Sequence, residues 1–118
     1  MLTRDAFEEL VYDAVQSLPG WVHDALENID VLVLDEPDED LDPEGDGLLG
    51  LYVGLPLTER GIDYAAELPD VIYIFRLPHL DLGLGPEELR DEVTRTLVHE
   101  IAHYFGFDDN RIEELGWG

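Results

Sequence analysis

The chain contains no cysteine and no lysine, and only one serine and one methionine. Without cysteine, disulfides, thiolate zinc sites and cysteine nucleophiles are excluded, which suits a reducing compartment. The single serine, Ser17, has no GxSxG around it, so a serine hydrolase is not expected. No apolar run approaches the roughly 20 residues of a membrane span. The opening residues show an amphipathic pattern rather than a charged region, an apolar run and a small-residue cleavage site. The expectation is a soluble, cytoplasmic protein. The missing lysine leaves six arginines against 29 acids, a net charge of -23. A field of that sign repels nucleic acid and anionic lipid, so neither nucleic acid nor membrane is expected as a partner. It favours cations or basic peptides, although solubility alone accounts for the same surplus.

What is present fits one domain over residues 1–118, since 45% of the residues are hydrophobic and chains divide at about 100–200 residues. A first helix is predicted from about Thr3, as N-cap, to Leu18, with Phe7, Leu10, Val11, Ala14, Val15 and Leu18 on one face. Pro19-Gly20 ends it, and a short helix follows over 21–27. Ile29 to Leu34 (IDVLVL), Leu48 to Leu55 (LLGLYVGL) and Val71 to Phe75 (VIYIF) read as strands. Between the first two lies an acidic loop, residues 35–46, with eight acids in twelve positions. Its registers fail as a calcium loop: from Asp38, Pro43 and Leu49 replace the required Gly and Glu, and from Asp40, Leu51 falls at position twelve. Pro86 opens a long helix reaching Phe105, with Glu87 and Glu88 on its positive end and Gly106 as left-handed cap. Ile112 to Leu115 reads as one last turn. The layout is α+β: a small sheet of about three strands packed with an N-terminal helix and the long helix.

The chemistry-bearing constellation is HEIAHYFGFDD, residues 99–109. At 3.6 residues per turn His99 and His103 stack about 5.4 Å apart on one helix face, where two imidazoles can share a zinc ion. Glu100, rotated about 100° from His99, can reach a water on that ion without binding it. Leu89, Val93, Leu97, Ile101 and Phe105 form the apolar face, while the histidines lie off it with Glu92, Arg95 and Thr96. A catalytic zinc takes a third protein ligand. Gly106 turns the chain back, and the spacing favours Asp109 over Asp108 or Glu113 as that ligand. Asp108 and Asp109 are also the candidates to cap the last turn.

HExxHxxGxxD resembles the motif of the metzincin-type zinc peptidases, with Asp in place of the usual third His, as in the small bacterial snapalysins. More closely, the whole chain resembles the compact, acidic, zincin-like metallopeptidases of bacteria. The resemblance runs from DAFEELVYDAV through LLGLYVGLPLTER to HEIAHYFGFDDNRIEELG. It implies a zincin-like minimal domain and one Zn²⁺ per chain on His99, His103 and Asp109, with Glu100 as general base. The chain departs from metzincins in one respect: Met1 is its only methionine, so no methionine turn follows the third ligand.

The function expected is hydrolysis of peptide bonds in a peptide or flexible protein segment. The substrate would lie along a strand edge at Leu51, Tyr52 and Val53. Arg76, Tyr73 and His79 are the oxyanion donors considered, with Arg76 also a substrate-binding candidate; His23 and His79 otherwise read as surface or packing residues. The alternative is a non-catalytic, acidic metal-binding or interaction domain. A non-haem iron oxygenase shares the two-His, one-carboxylate donor set, but leaves the intervening Glu100 without a purpose. GLGP at 83–86 lacks the third glycine of a dinucleotide loop.

Overall fold

The computed structural model describes residues 2–40, 45, 47–54 and 70–116. In chain order they form α1 (Arg4–Gln16), α2 (Gly20–Leu26), β1 (Ile29–Leu34), β2 (Gly50–Val53), β3 (Asp70–Phe75), α3 (Arg76–Leu80), α4 (Pro86–Tyr104) and α5 (Asp109–Glu114). Most of the acidic stretch at 41–46 and the link over 55–69 lie outside the described residues. Among the described residues no helix is long and apolar enough to cross a membrane.

Thr3 caps α1 as expected, its Oγ1 accepting the Ala6 N–H at 3.2 Å. The helix stops at Gln16, two residues short of Leu18. Leu18 precedes Pro19, whose ring disfavours a helical residue before it. β2 is shorter than the predicted Leu48–Leu55 at its start because β3 gives way to α3 at Arg76 and the ladder ends there; Leu55 is not among the described residues. The helix α3 was not expected. Its Pro78 sits in the first turn, where no backbone N–H is required.

The sheet order is β1-β3-β2, with β1 parallel and β2 antiparallel to the central strand. Ile72 and Ile74 on β3 point to the helical face and are fully buried. Phe7, Val11, Ala14 and Leu18 of α1, Val22 and Ala25 of α2, and Val93, Leu97, Ile101 and Tyr104 of α4 close the core over them. Each Val, Leu, Ile or Phe side chain among them contributes roughly 1.5–3 kcal/mol on burial. β1 is buried on this face only: Ile29, Val31 and Val33 turn inward while Leu32 and Leu34 are exposed, despite the almost continuous apolar run. The three strands and the two long helices thus agree with an α+β layout in which α4 lies across the sheet beside β2.

Candidate functional site

α4 delivers the two histidines. Pro86 occupies its first turn with Glu87 and Glu88, and its far end closes in a Schellman motif. Gly106, at φ 94°, donates to the His103 carbonyl at 2.9 Å, and Phe107 N–H reaches the Ala102 carbonyl at 3.0 Å. A side chain at 106 would be strained in that left-handed conformation. The reversal throws residues 107–109 back over the histidines.

The result is a tight convergence. The His99 and His103 rings lie 5.0 Å apart at 74°. Asp109 Oδ1 lies 3.1 Å from His103 Nε2 and 3.5 Å from His99 Nε2. Asp109 is free to do this because Asp108, not Asp109, caps α5, accepting the Arg111 N–H at 2.8 Å. Phe107 adds a contact that sequence reasoning missed: His103 Nδ1 donates to its carbonyl at 3.1 Å. Its signal was only the four-residue spacing from His103 across a glycine cap. With Nδ1 carrying the proton, Nε2 of a neutral His103 can only accept, as can a carboxylate oxygen. Acceptors converging in this way could hold a cation between them.

The spacing suits one. Ligand atoms of a tetrahedral ion with 2.0–2.1 Å bonds stand about 3.3 Å apart, and the two Nε2–Oδ1 distances of 3.1 and 3.5 Å bracket that value. Two imidazoles and one carboxylate are a donor set of zinc and its first-row neighbours.

Glu100 belongs to the same cluster, its ligand-type atom within 4.8 Å of those of His99 and His103. Its position differs from theirs, however. The side chain is buried against β2, with Oε1 accepting the Tyr52 main-chain N–H at 2.7 Å and Oε2 3.9 Å from His99 Nε2. Burial pushes the Glu100 carboxyl above the ordinary range, partly opposed by His99, His103 and the Tyr52 N–H. Gly50 lets β2 approach α4 closely here: a Cβ there would fall 2.6 Å from Thr96 Cγ2 and 3.0 Å from the Tyr73 carbonyl. A cleft of about 330 Å³ opens beside the cluster, lined among others by Gly50, Glu92, Arg95, Thr96, His99 and Glu100. A larger cavity of about 830 Å³ lies on the other flank of α4, among Leu18, Val22, Val98, Ala102, Phe105 and Ile112. It holds no titratable side chain, so size does not locate the chemistry.

The other sequence candidates separate. Leu51, Tyr52 and Val53 lie in β2, at the edge of the sheet among the described residues and next to Glu100. Arg76 is drawn elsewhere: its guanidinium holds Asp35 Oδ1 at 2.9 Å and the Leu2 carbonyl at 2.7 Å, on the β1 side of β3. His79 is completely buried, donating from Nδ1 to the Phe75 carbonyl at 2.7 Å, with Nε2 3.1 Å from Thr96 Oγ1. Tyr73 stacks on Phe75, on the sheet face opposite Ile72 and Tyr52. None of these three meets the histidines. Arg95, one turn before His99 on α4, is the arginine that lines the cleft.

Comparison with known proteins is consistent with this geometry. The model of a family described as zincin-like metallopeptidases matches residues 26–117. No curated protein matches the chain. Among solved structures, a conserved hypothetical protein from Thermo thermophilus is 25% identical, with a TM-score of 0.58 over 97% of each chain.

Proposed function

The chain belongs to the zincin-like metallopeptidase family, and we propose that it is a zinc-dependent hydrolase of peptide bonds. The observation that carries this reading is the meeting of His99, His103 and Asp109 around one point, with the buried carboxylate of Glu100 beside it. In this reading His99 Nε2, His103 Nε2 and an Asp109 oxygen hold one zinc ion per chain. Zinc so held supplies Lewis acidity, acidifying a water and polarising a carbonyl.

The chain's own residues do the rest. Glu100 Oε2, facing His99, takes the water's proton and returns it to the departing amine, so the carboxylate ends each cycle as it began. Phe107, through its carbonyl, keeps His103 in the tautomer whose Nε2 lone pair faces the cluster. Arg95 supplies positive charge to the cleft, which Arg76, Tyr73 and His79 do not line, and in this reading is the group assigned to a developing oxyanion or a substrate carboxylate. The substrate is a peptide or flexible segment lying beside β2 at Leu51, Tyr52 and Val53, and the outward Tyr52 N–H, held by Glu100, is not among the groups that pair with it.

The test joins metal analysis to turnover. The protein, loaded with zinc and dialysed, is expected to keep about one ion per chain, and Asp109→Ala to lose most of it. Over a peptide library the parent is expected to cleave, and Glu100→Gln to keep metal while losing on the order of 10²–10⁴-fold in rate. Stoichiometric zinc without cleavage of any peptide would replace this reading with a non-catalytic metal-binding domain.

A further inference from the structure

β2 carries a main-chain contact that an edge strand does not ordinarily make. The Phe75 N–H to Leu49 carbonyl bond, at 3.0 Å, sets the ladder so that Leu49, Leu51 and Val53 turn their backbone groups toward β3. Gly50 and Tyr52 therefore direct theirs outward, where water or a foreign strand would normally meet them. The outward N–H of Tyr52 meets Glu100 Oε1 instead, at 2.7 Å. At that length it lies at the short end of the range for N–H···O hydrogen bonds.

Tyr52 is itself fixed at two further points. Its hydroxyl donates to Asp70 Oδ2 at 2.8 Å, and Asp70 is only 4% exposed at the start of β3. Its ring meets the edge of Tyr104 on α4, with centroids 6.1 Å apart at 78°. Gly54 closes over the hydroxyl contact: a Cβ there would stand 2.7 Å from the Asp70 carboxylate and 2.8 Å from the Tyr52 hydroxyl. One residue thus touches the central strand through its hydroxyl, the active helix through its ring and the carboxylate of Glu100 through its backbone.

We propose that Tyr52, anchored by Asp70, is a positioning residue for Glu100 that divides the work of its two carboxylate oxygens. Oε1 is held by the Tyr52 N–H, and Oε2 is left facing His99 as the oxygen that carries the proton. An unrestrained glutamate samples several rotamers about three side-chain torsions, and holding one of them removes the cost of finding it at each turnover. The role of Oε2 rests on the peptidase reading; the clamp on Oε1 rests on the contacts alone.

The two are separated by measuring amide hydrogen exchange, residue by residue, on the metal-free protein beside its turnover when zinc-loaded. The Tyr52 amide is expected to be protected in the parent and to exchange about tenfold faster or more in Glu100→Ala, with Leu51 and Val53, bonded to β3, unchanged. Tyr52→Phe keeps the ring and removes the hydroxyl anchor; it is expected to speed exchange at residue 52 while metal content stays at the parent's level. Asp70→Asn is the second variant and is expected to act in the same direction. In a cleaving protein, Tyr52→Phe is expected to lower kcat about tenfold with little change in KM. A Tyr52 amide that exchanges freely in the parent, or stays protected in Glu100→Ala, overturns the clamp whatever the activity. A protected amide in a protein that cleaves nothing keeps the clamp and removes the peptidase reading. A kcat unchanged in Tyr52→Phe despite faster exchange overturns the positioning role.

Discussion

Asp108 and Asp109 are neighbours with separate tasks: Asp108 Oδ1 takes the Arg111 N–H at 2.8 Å, while Asp109 Oδ1 stands 3.1 Å from His103 Nε2. Exchanging the two acids one at a time should therefore give different defects. Asp108→Ala is expected to cost about 0.5–2 kcal/mol of stability through loss of the helix cap, with metal binding weakened less than tenfold. Asp109→Ala should leave the melting temperature of the metal-free protein nearly unchanged and abolish tight zinc binding. Thermal melts with and without zinc separate them.

Gly50 is where β2 comes closest to α4. Gly50→Ala would place a methyl 2.6 Å from Thr96 Cγ2 and 3.0 Å from the Tyr73 carbonyl. The expected loss is about 1–3 kcal/mol, typical of an overpacked contact. Thr96→Ser removes that methyl and keeps the hydroxyl beside His79 Nε2. The double variant is therefore expected to recover part of the loss in denaturant unfolding, and strict additivity would show that the two positions do not meet.

His79 gives the fold a pH dependence of known sign. Burial holds its pKa below the ordinary 6.5, against smaller opposing effects of the Phe75 carbonyl and Glu92. The unfolded chain takes up a proton near pH 6.5 while the folded chain stays neutral at this site. The associated stability is thus complete above pH 6.5 and is lost as the pH falls from there toward the depressed folded value. His79→Gln is expected to flatten that part of the stability profile. An identical slope between about pH 7 and 5 in parent and variant would show that His79 does not titrate as its burial requires.

Arg95 is expected to matter for substrate and not for metal. Arg95→Ala should retain parental zinc content and lose about 10- to 100-fold in kcat/KM, with Arg95→Lys in between because a lysine keeps the charge but not the planar fork. Loss of zinc in Arg95→Ala would mean that its contact with the Gly116 carbonyl, at 3.4 Å, supports the fold of the site instead.

The parts of the molecule that were legible in the sequence are those set by near neighbours along the chain. The stacking of His99 on His103, the Gly106 cap and the Thr3 cap all follow from helix geometry within a few residues. The competition between Asp108 and Asp109 was visible as well, and only the direction of each carboxylate had to be seen. What escaped was set by long-range pairing. The Tyr52–Glu100 bond joins residues 48 positions apart, and Arg76 joins Asp35 across 41. His79 looked available as an oxyanion donor because α3 was not foreseen. That helix buries the ring between the Phe75 carbonyl and Thr96. Arg95 was placed on the histidine face, yet nothing local showed that a cleft opens there while Arg76 is drawn to the opposite side of β3.

The Tyr52–Glu100 contact has a consequence for how such a chain would change over evolutionary time. An unpaired edge N–H is an invitation to strand addition by another molecule, and Glu100 blunts it with a buried carboxyl oxygen. A descendant that no longer cut peptides would still gain from keeping this glutamate, because discarding it would open the sheet to self-association. Persistence of the acid in HExxH is then a weak witness to catalysis in this architecture. Loss of His103 or Asp109 with the glutamate retained is the pattern that retirement from chemistry would leave behind.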